Sequence, residues 1–104
     1  MTWEELQGRA EAWHRRRFDN AVEPMAVGLK LGSEVGEVHD ALIFDWGSNS
    51  ARGKGDVAGE CADVAICLMV LLGRWYQDVD LMAEVAKKLE ILETPNMHQS
   101  SVTS

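Results

Sequence analysis

Ala58 to Trp75 reads AGECADVAICLMVLLGRW: thirteen of its eighteen residues are apolar and two are glycine. At 100° per residue the three charged side chains, Glu60, Asp63 and Arg74, fall within an arc of about 60°, and every other direction is apolar. Such a pattern predicts a helix buried nearly all round. Val64, Cys67 and Leu71 share or border the charged arc, so the two acids open a face that continues as core. Burying two carboxylates i, i+3 apart is costly unless a cation or hydrogen-bond donors meet them.

The flanking sequence reads as three more helices. Thr2 with Glu5 forms a capping-box pattern, and Trp3, Leu6, Ala10, Trp13 and Arg17 continue at helical spacing. The first helix is therefore expected over Thr2 to Phe18, ending in Arg15, Arg16 and Arg17, cations where the helix dipole favours them. Pro24 suits a first helical turn and opens a long second helix to about Trp46. Gly47 to Gly55, GSNSARGKG, is a small, polar loop. Asp56 is the expected cap of the third helix, which runs to about Tyr76; Asp78 or Asp80 caps the fourth, and Thr94-Pro95 stops it. No period-two strand pattern and no internal repeat is present. The expectation is a single all-α domain over 1–94, a four-helix bundle-like protomer, with 95–104 as a flexible tail.

At 104 residues the chain has room for one modest core. Seventeen acids against ten bases give a net charge of −7, which argues against a nucleic-acid polymer or an anionic membrane surface as partner. The polar N-terminus, MTWEELQGRAEAWHRRR, has no apolar signal region. The longest apolar run, Val64 to Gly73, has ten residues, against the roughly 20 that a membrane span needs. Cys61 and Cys67 point about 120° apart on one helix and cannot pair within it, which suits a reduced thiol pair and a cytoplasmic location.

The second helix repeats the acidic device of the third. Glu34 and Glu37 stand i, i+3, flanked by Val27, Leu31, Val38, Ala41 and Leu42, with Lys30 one turn before Glu34 as a possible ion-pair partner. Gly28, Gly32 and Gly36 follow at four-residue intervals. Each mid-helix glycine costs about 1 kcal/mol relative to alanine, so a ridge of three suggests the close approach of another helix. If the two helices pack together, Glu34, Glu37, Glu60 and Asp63 converge, and like charges that close require compensation. An all-oxygen set lacking His and Cys suits Mg²⁺, or Mn²⁺, rather than zinc. Other motifs fit poorly. The glycine loop lacks P-loop spacing and a preceding strand. A di-iron bundle needs two ExxH motifs, and Glu11 to His14 supplies one.

GLKLGSEVGEVHDAL, then a glycine-containing loop, then GECADVAICLMVLL resembles the MazG-like nucleoside triphosphate pyrophosphohydrolases of the all-α NTP pyrophosphatase superfamily. Their ExxE and ExxD motifs correspond to Glu34, Glu37, Glu60 and Asp63, and the resemblance covers about residues 13 to 90. It implies Mg²⁺-dependent hydrolysis of a (deoxy)nucleoside triphosphate to the monophosphate and pyrophosphate, with the four carboxylates holding metal. Glu34 or Glu37 would be the catalytic carboxylate that takes a proton from water. Phe18 matches a base-stacking position of the family, with Trp13, His14, Phe44 and Trp46 as possible neighbours. Lys30 and Lys88 are candidate phosphate contacts, as are Arg52 and Lys54 in the loop. A related branch hydrolyses phosphoribosyl-ATP, and a non-catalytic module of the same fold is the reading from another class. Many relatives follow the helix-four lysine with Asn and then Arg, whereas this chain has Leu92 and Glu93 there. The apolar surround of the third helix and the glycine ridge of the second predict a homodimer or tetramer joined through those helices.

Overall fold

The structure is a computed structural model and describes residues 1–19, 22–47 and 55–95. These form four helices and no strand: α1 (Trp3–Arg17), α2 (Pro24–Trp46), α3 (Val57–Trp75) and α4 (Leu81–Glu93). Local chemistry sets their starts. Thr2 and Glu5 make the expected reciprocal box, each side chain accepting from the other's backbone N–H at 3.1–3.2 Å. Pro24 stands in the first turn of α2. Asp56 caps α3 by accepting from the N–H of Gly59, and Asp80, not Asp78, caps α4 by accepting from Ala83. Asp56 does so in the left-handed backbone region, φ 50°, which an Asx residue tolerates better than most.

The α2–α3 connection is pinned by one side chain. Asp45, buried in the last turn of α2, accepts a 2.8 Å hydrogen bond from the N–H of Gly55. The intervening residues 48–54, including Arg52 and Lys54, lie outside the described residues, as do 96–104 of the expected tail.

α3 is the hub. α2 and α1 each pack along it, and α1 and α2 share no comparable contact with one another. Gly73 marks where α1 crosses: a β-carbon there would stand 3.1 Å from Cβ of Glu11. Among the described residues the buried apolar side chains are Val27 and Ala41 of α2 with Met69 and Val70 of α3, a small core.

Two expectations change at this level. α4 packs along none of the other helices, so the packed unit is three helices with the fourth standing away. The radius of gyration is accordingly 16.7 Å, where a compact chain of this length has about 13 Å. For the same reason α3 is not covered all round: Cys61 and Ile66 are exposed, since α1 and α2 cover only part of its circumference. Among the described residues the glycine ridge of α2 meets no other helix, with nothing within 4 Å of where a β-carbon would stand at Gly28, Gly32 or Gly36. Met25, Leu29 and Ile43 share that face and are exposed, as are Met82, Val85, Leu89 and Leu92 of α4. No helix among the described residues is long and apolar enough to cross a membrane.

Candidate metal centre and adjoining groove

Val27, Glu34 and Ala41 recur every seven residues, two turns of helix, and so fall on the stripe that α2 buries against α3. Glu34 is thereby a buried carboxylate, 6% exposed. Its Oε1 accepts from Nζ of Lys30 at 3.0 Å, and its buried Oε2 has no hydrogen-bond partner. Glu60, in the first turn of α3, also presents a buried Oε2 without a partner. Glu37 and Asp63 are more exposed and follow one turn after Glu34 and Glu60. One carboxylate oxygen from each of Glu34, Glu37, Glu60 and Asp63 lies within 4.8 Å of the others.

The electrostatics follow from that proximity. A protonated Glu37 would donate to Glu34, and that bond, then the Glu34 charge, then Glu60, push the Glu37 carboxyl above its ordinary value. Lys30 is pushed up in turn by its hydrogen bond to Glu34. One lysine does not balance four acids. Cys67 adjoins the cluster, but burial and then the Glu34 charge push its thiol up, so it is a poor ligand and a poor nucleophile. The donor set is therefore oxygen only, with two buried lone-pair acceptors unmet, and a hard divalent cation such as Mg²⁺ or Mn²⁺ fits it.

Because α1 and α2 both lean on α3 without touching closely, a groove of about 1210 Å³ opens between them. Val27, Met69 and Val70 line it together with Trp13 and Phe18, whose rings meet edge to face at 6.4 Å. Lys30, Glu34 and Asp63 line it too, so the groove and the carboxylate cluster share residues. The other two carboxylates, Glu37 and Glu60, border a cavity of about 340 Å³ with Asp40, Phe44 and Gly55.

The structure thus brings together the four expected metal ligands and places Trp13, Phe18 and Lys30 on the adjoining groove. Lys88 is not brought in: it is exposed on α4 and lines neither cavity. Leu92 and Glu93 are likewise exposed there, and His39 is exposed on α2. Phe44 borders the smaller cavity rather than the groove. Three features escaped the sequence. Asp40 stands beside Glu37 and Glu60, and Asp45 ties α2 to α3 from eleven residues beyond Glu34, three turns along the buried stripe. Arg74, grouped by angle with Glu60 and Asp63, instead meets His14 of α1 at 2.7 Å. Sixty residues separate that pair, and no local pattern announces it.

Compared with protein-family models, with curated proteins and with solved structures, the chain matches none.

Proposed function

We propose that this protein is a Mg²⁺-dependent pyrophosphohydrolase that cleaves a (deoxy)nucleoside triphosphate to the monophosphate and pyrophosphate, in the manner of the MazG-like enzymes its motifs resemble. The observation that carries this is the convergence of four carboxylates, two of them with buried unpartnered oxygens, beside an apolar groove walled by Trp13 and Phe18. Glu34, Glu37, Glu60 and Asp63 would hold the cation, which when bound neutralises phosphate charge and acidifies the attacking water. The rest falls to the chain. Of the two candidate catalytic carboxylates, Glu34 is buried and engaged with Lys30, whereas Glu37 is exposed and made more basic by its neighbours, so Glu37 takes the proton from water. Lys30, already beside Glu34 and mostly exposed, turns toward a phosphate oxygen. Trp13 and Phe18 offer aromatic faces to the base.

Assembly completes the proposal. The solvent-facing glycine ridge of α2 and the apolar stripe of α4 call for a homodimer or tetramer. The test is incubation with a panel of dNTPs and NTPs plus Mg²⁺, separating pyrophosphate from phosphate as product. Pyrophosphate release that disappears with EDTA, and in Glu37→Gln and Asp63→Asn, supports the enzyme. The exposed, detached Lys88 favours a second reading, a nucleotide-binding module without turnover. Mg²⁺-dependent nucleotide binding with no product would decide for it, and phosphoribosyl-ATP belongs in the same panel.

A further inference from the structure

Arg74, in the last turn of α3, is a buried cation, 8% exposed, and its guanidinium makes three contacts with one stretch of chain. Nη1 lies 2.7 Å from Nδ1 of His14 and donates to the backbone carbonyl of Phe18 at 3.3 Å. Nη2 donates to the carbonyl of Asp19 at 3.2 Å, and the plane stands over the Trp75 ring at 5.0 Å. An arginine has donors and no acceptor. Nδ1 of His14 must therefore be the acceptor, which leaves its ring neutral with the proton on Nε2. His14 is itself 8% exposed, and its ring lies 4.7 Å from Phe18 and 5.9 Å from Trp13, both of them groove residues.

We infer that Arg74 is the positioning residue of the aromatic groove wall, clamping the end of α1 and the start of the α1–α2 connection onto α3, and that the clamp holds only while His14 is neutral. Protonation puts N–H against N–H and imidazolium against guanidinium, in a site with little water to screen them. The Phe18 and Asp19 carbonyls are then released and the wall loosens. Burial, and then the Arg74 charge, hold His14 below its ordinary value, so the clamp is closed at neutral pH and opens in acid. Other charges face this region from each side. α1 contributes Arg9 and Arg16 on the groove, the Glu11–Arg15 pair, and Arg17 over the Phe18 ring. The connection contributes Asp19, and across the groove stand Lys30 and Glu34 of α2 and Asp63 of α3. The inference rests on the proposed function only for the identity of the ligand, a nucleobase.

The test therefore has a ligand-free arm. Long-range ¹⁵N–¹H spectra at pH 7.5 are expected to show His14 as the Nε2–H tautomer, and tryptophan emission is expected to change as pH falls below the ordinary histidine range. His14→Asn places a non-titrating oxygen near Nδ1 and should abolish that change without loss of helicity. In the enzyme arm, wild-type KM for a triphosphate rises about tenfold in acid, the scale of one lost hydrogen bond to a charged group. His14→Asn removes the part of that rise that the carboxylate cluster does not cause. Arg74→Lys keeps the charge, loses the fork, and raises KM at pH 7.5 with kcat little changed. A His14 protonated on both nitrogens at pH 7.5, or an emission profile unchanged by His14→Asn, overturns the inference. If no triphosphate turns over, the proposed function fails, and the ligand-free arm still decides on the clamp.

Discussion

Glu34 spends one oxygen on Lys30 and leaves the other, buried, with nothing to accept from. A carboxylate held this way destabilises the metal-free fold, and so does the exposed Glu37 beside it. Glu37→Gln should therefore leave the melting temperature in EDTA unchanged or higher, while abolishing the rise on adding Mg²⁺. In the wild type that rise corresponds to about 2.7 kcal/mol at a hundredfold excess over Kd, or roughly 10 °C or more for a domain of this size. Differential scanning fluorimetry reads both. Mg²⁺ affinity also depends on pH. A raised Glu37 carboxyl competes for protons above the ordinary carboxylate range, so affinity weakens as pH falls and begins to do so earlier than for an isolated glutamate. Isothermal titration calorimetry across pH 5 to 8 checks this. His14 works on the fold itself. Its folded-state value lies below the ordinary 6.5, so the unfolded chain binds the extra proton. Stability is full above that value and falls as pH drops through the window beneath it, a slope that His14→Asn should flatten in urea melts.

Helix starts are governed by chemistry within three residues, and this is why they were legible. The Thr2–Glu5 box and the caps Asp56 and Asp80 each follow from a side chain and the backbone N–H groups just after it, and Pro24 follows from a fixed φ and a missing N–H where the first turn needs none. Thr2→Ala is expected to cost about 1 kcal/mol, measured by urea denaturation. The ExxE and ExxD stripes were legible for a related reason, since i, i+3 spacing places two side chains on one face and the apolar flanks say which face turns inward. What lay hidden depends on where whole helices go. Arg74 sits on the same arc as Glu60 and Asp63, yet three to four turns along the axis separate it from them, and angle alone does not reveal that it meets α1. The apolar stripe of α4 reads like that of a packed helix, and only the three-dimensional arrangement shows it standing away. Asp45 belongs to the same class, a buried acid whose partner Gly55 stands ten residues further along the chain. Asp45→Ala should cost about 1–3 kcal/mol by leaving that N–H unpaired, with Asp45→Asn recovering most of it.

Among the described residues four apolar side chains are buried, α3 is covered over only part of its circumference, the glycine ridge is open and α4 stands away, so apolar surface remains that these helices do not cover. Sedimentation is expected to show a dimer or larger at micromolar concentration. A β-carbon at Gly32 would stand in open space among the described residues, so with Gly32→Leu helicity should persist while the species shifts toward the 11.5 kDa monomer. A folded wild-type monomer on dilution would sink the assembly. The hub arrangement also has a kinetic side. α2 and α3 are neighbours in sequence, joined by a short connection, whereas α1 reaches α3 only across the whole of α2. Closing the smaller loop costs less entropy, so the α2–α3 hairpin is expected to form first and α1 to dock onto it. Weakening Val27 or Val70 should slow refolding in stopped-flow experiments. Crowding the α1 crossing with Gly73→Ala should instead speed unfolding and leave refolding nearly untouched. The groove between α1 and α2 would then be the last feature of the molecule to take shape on folding and the first to open.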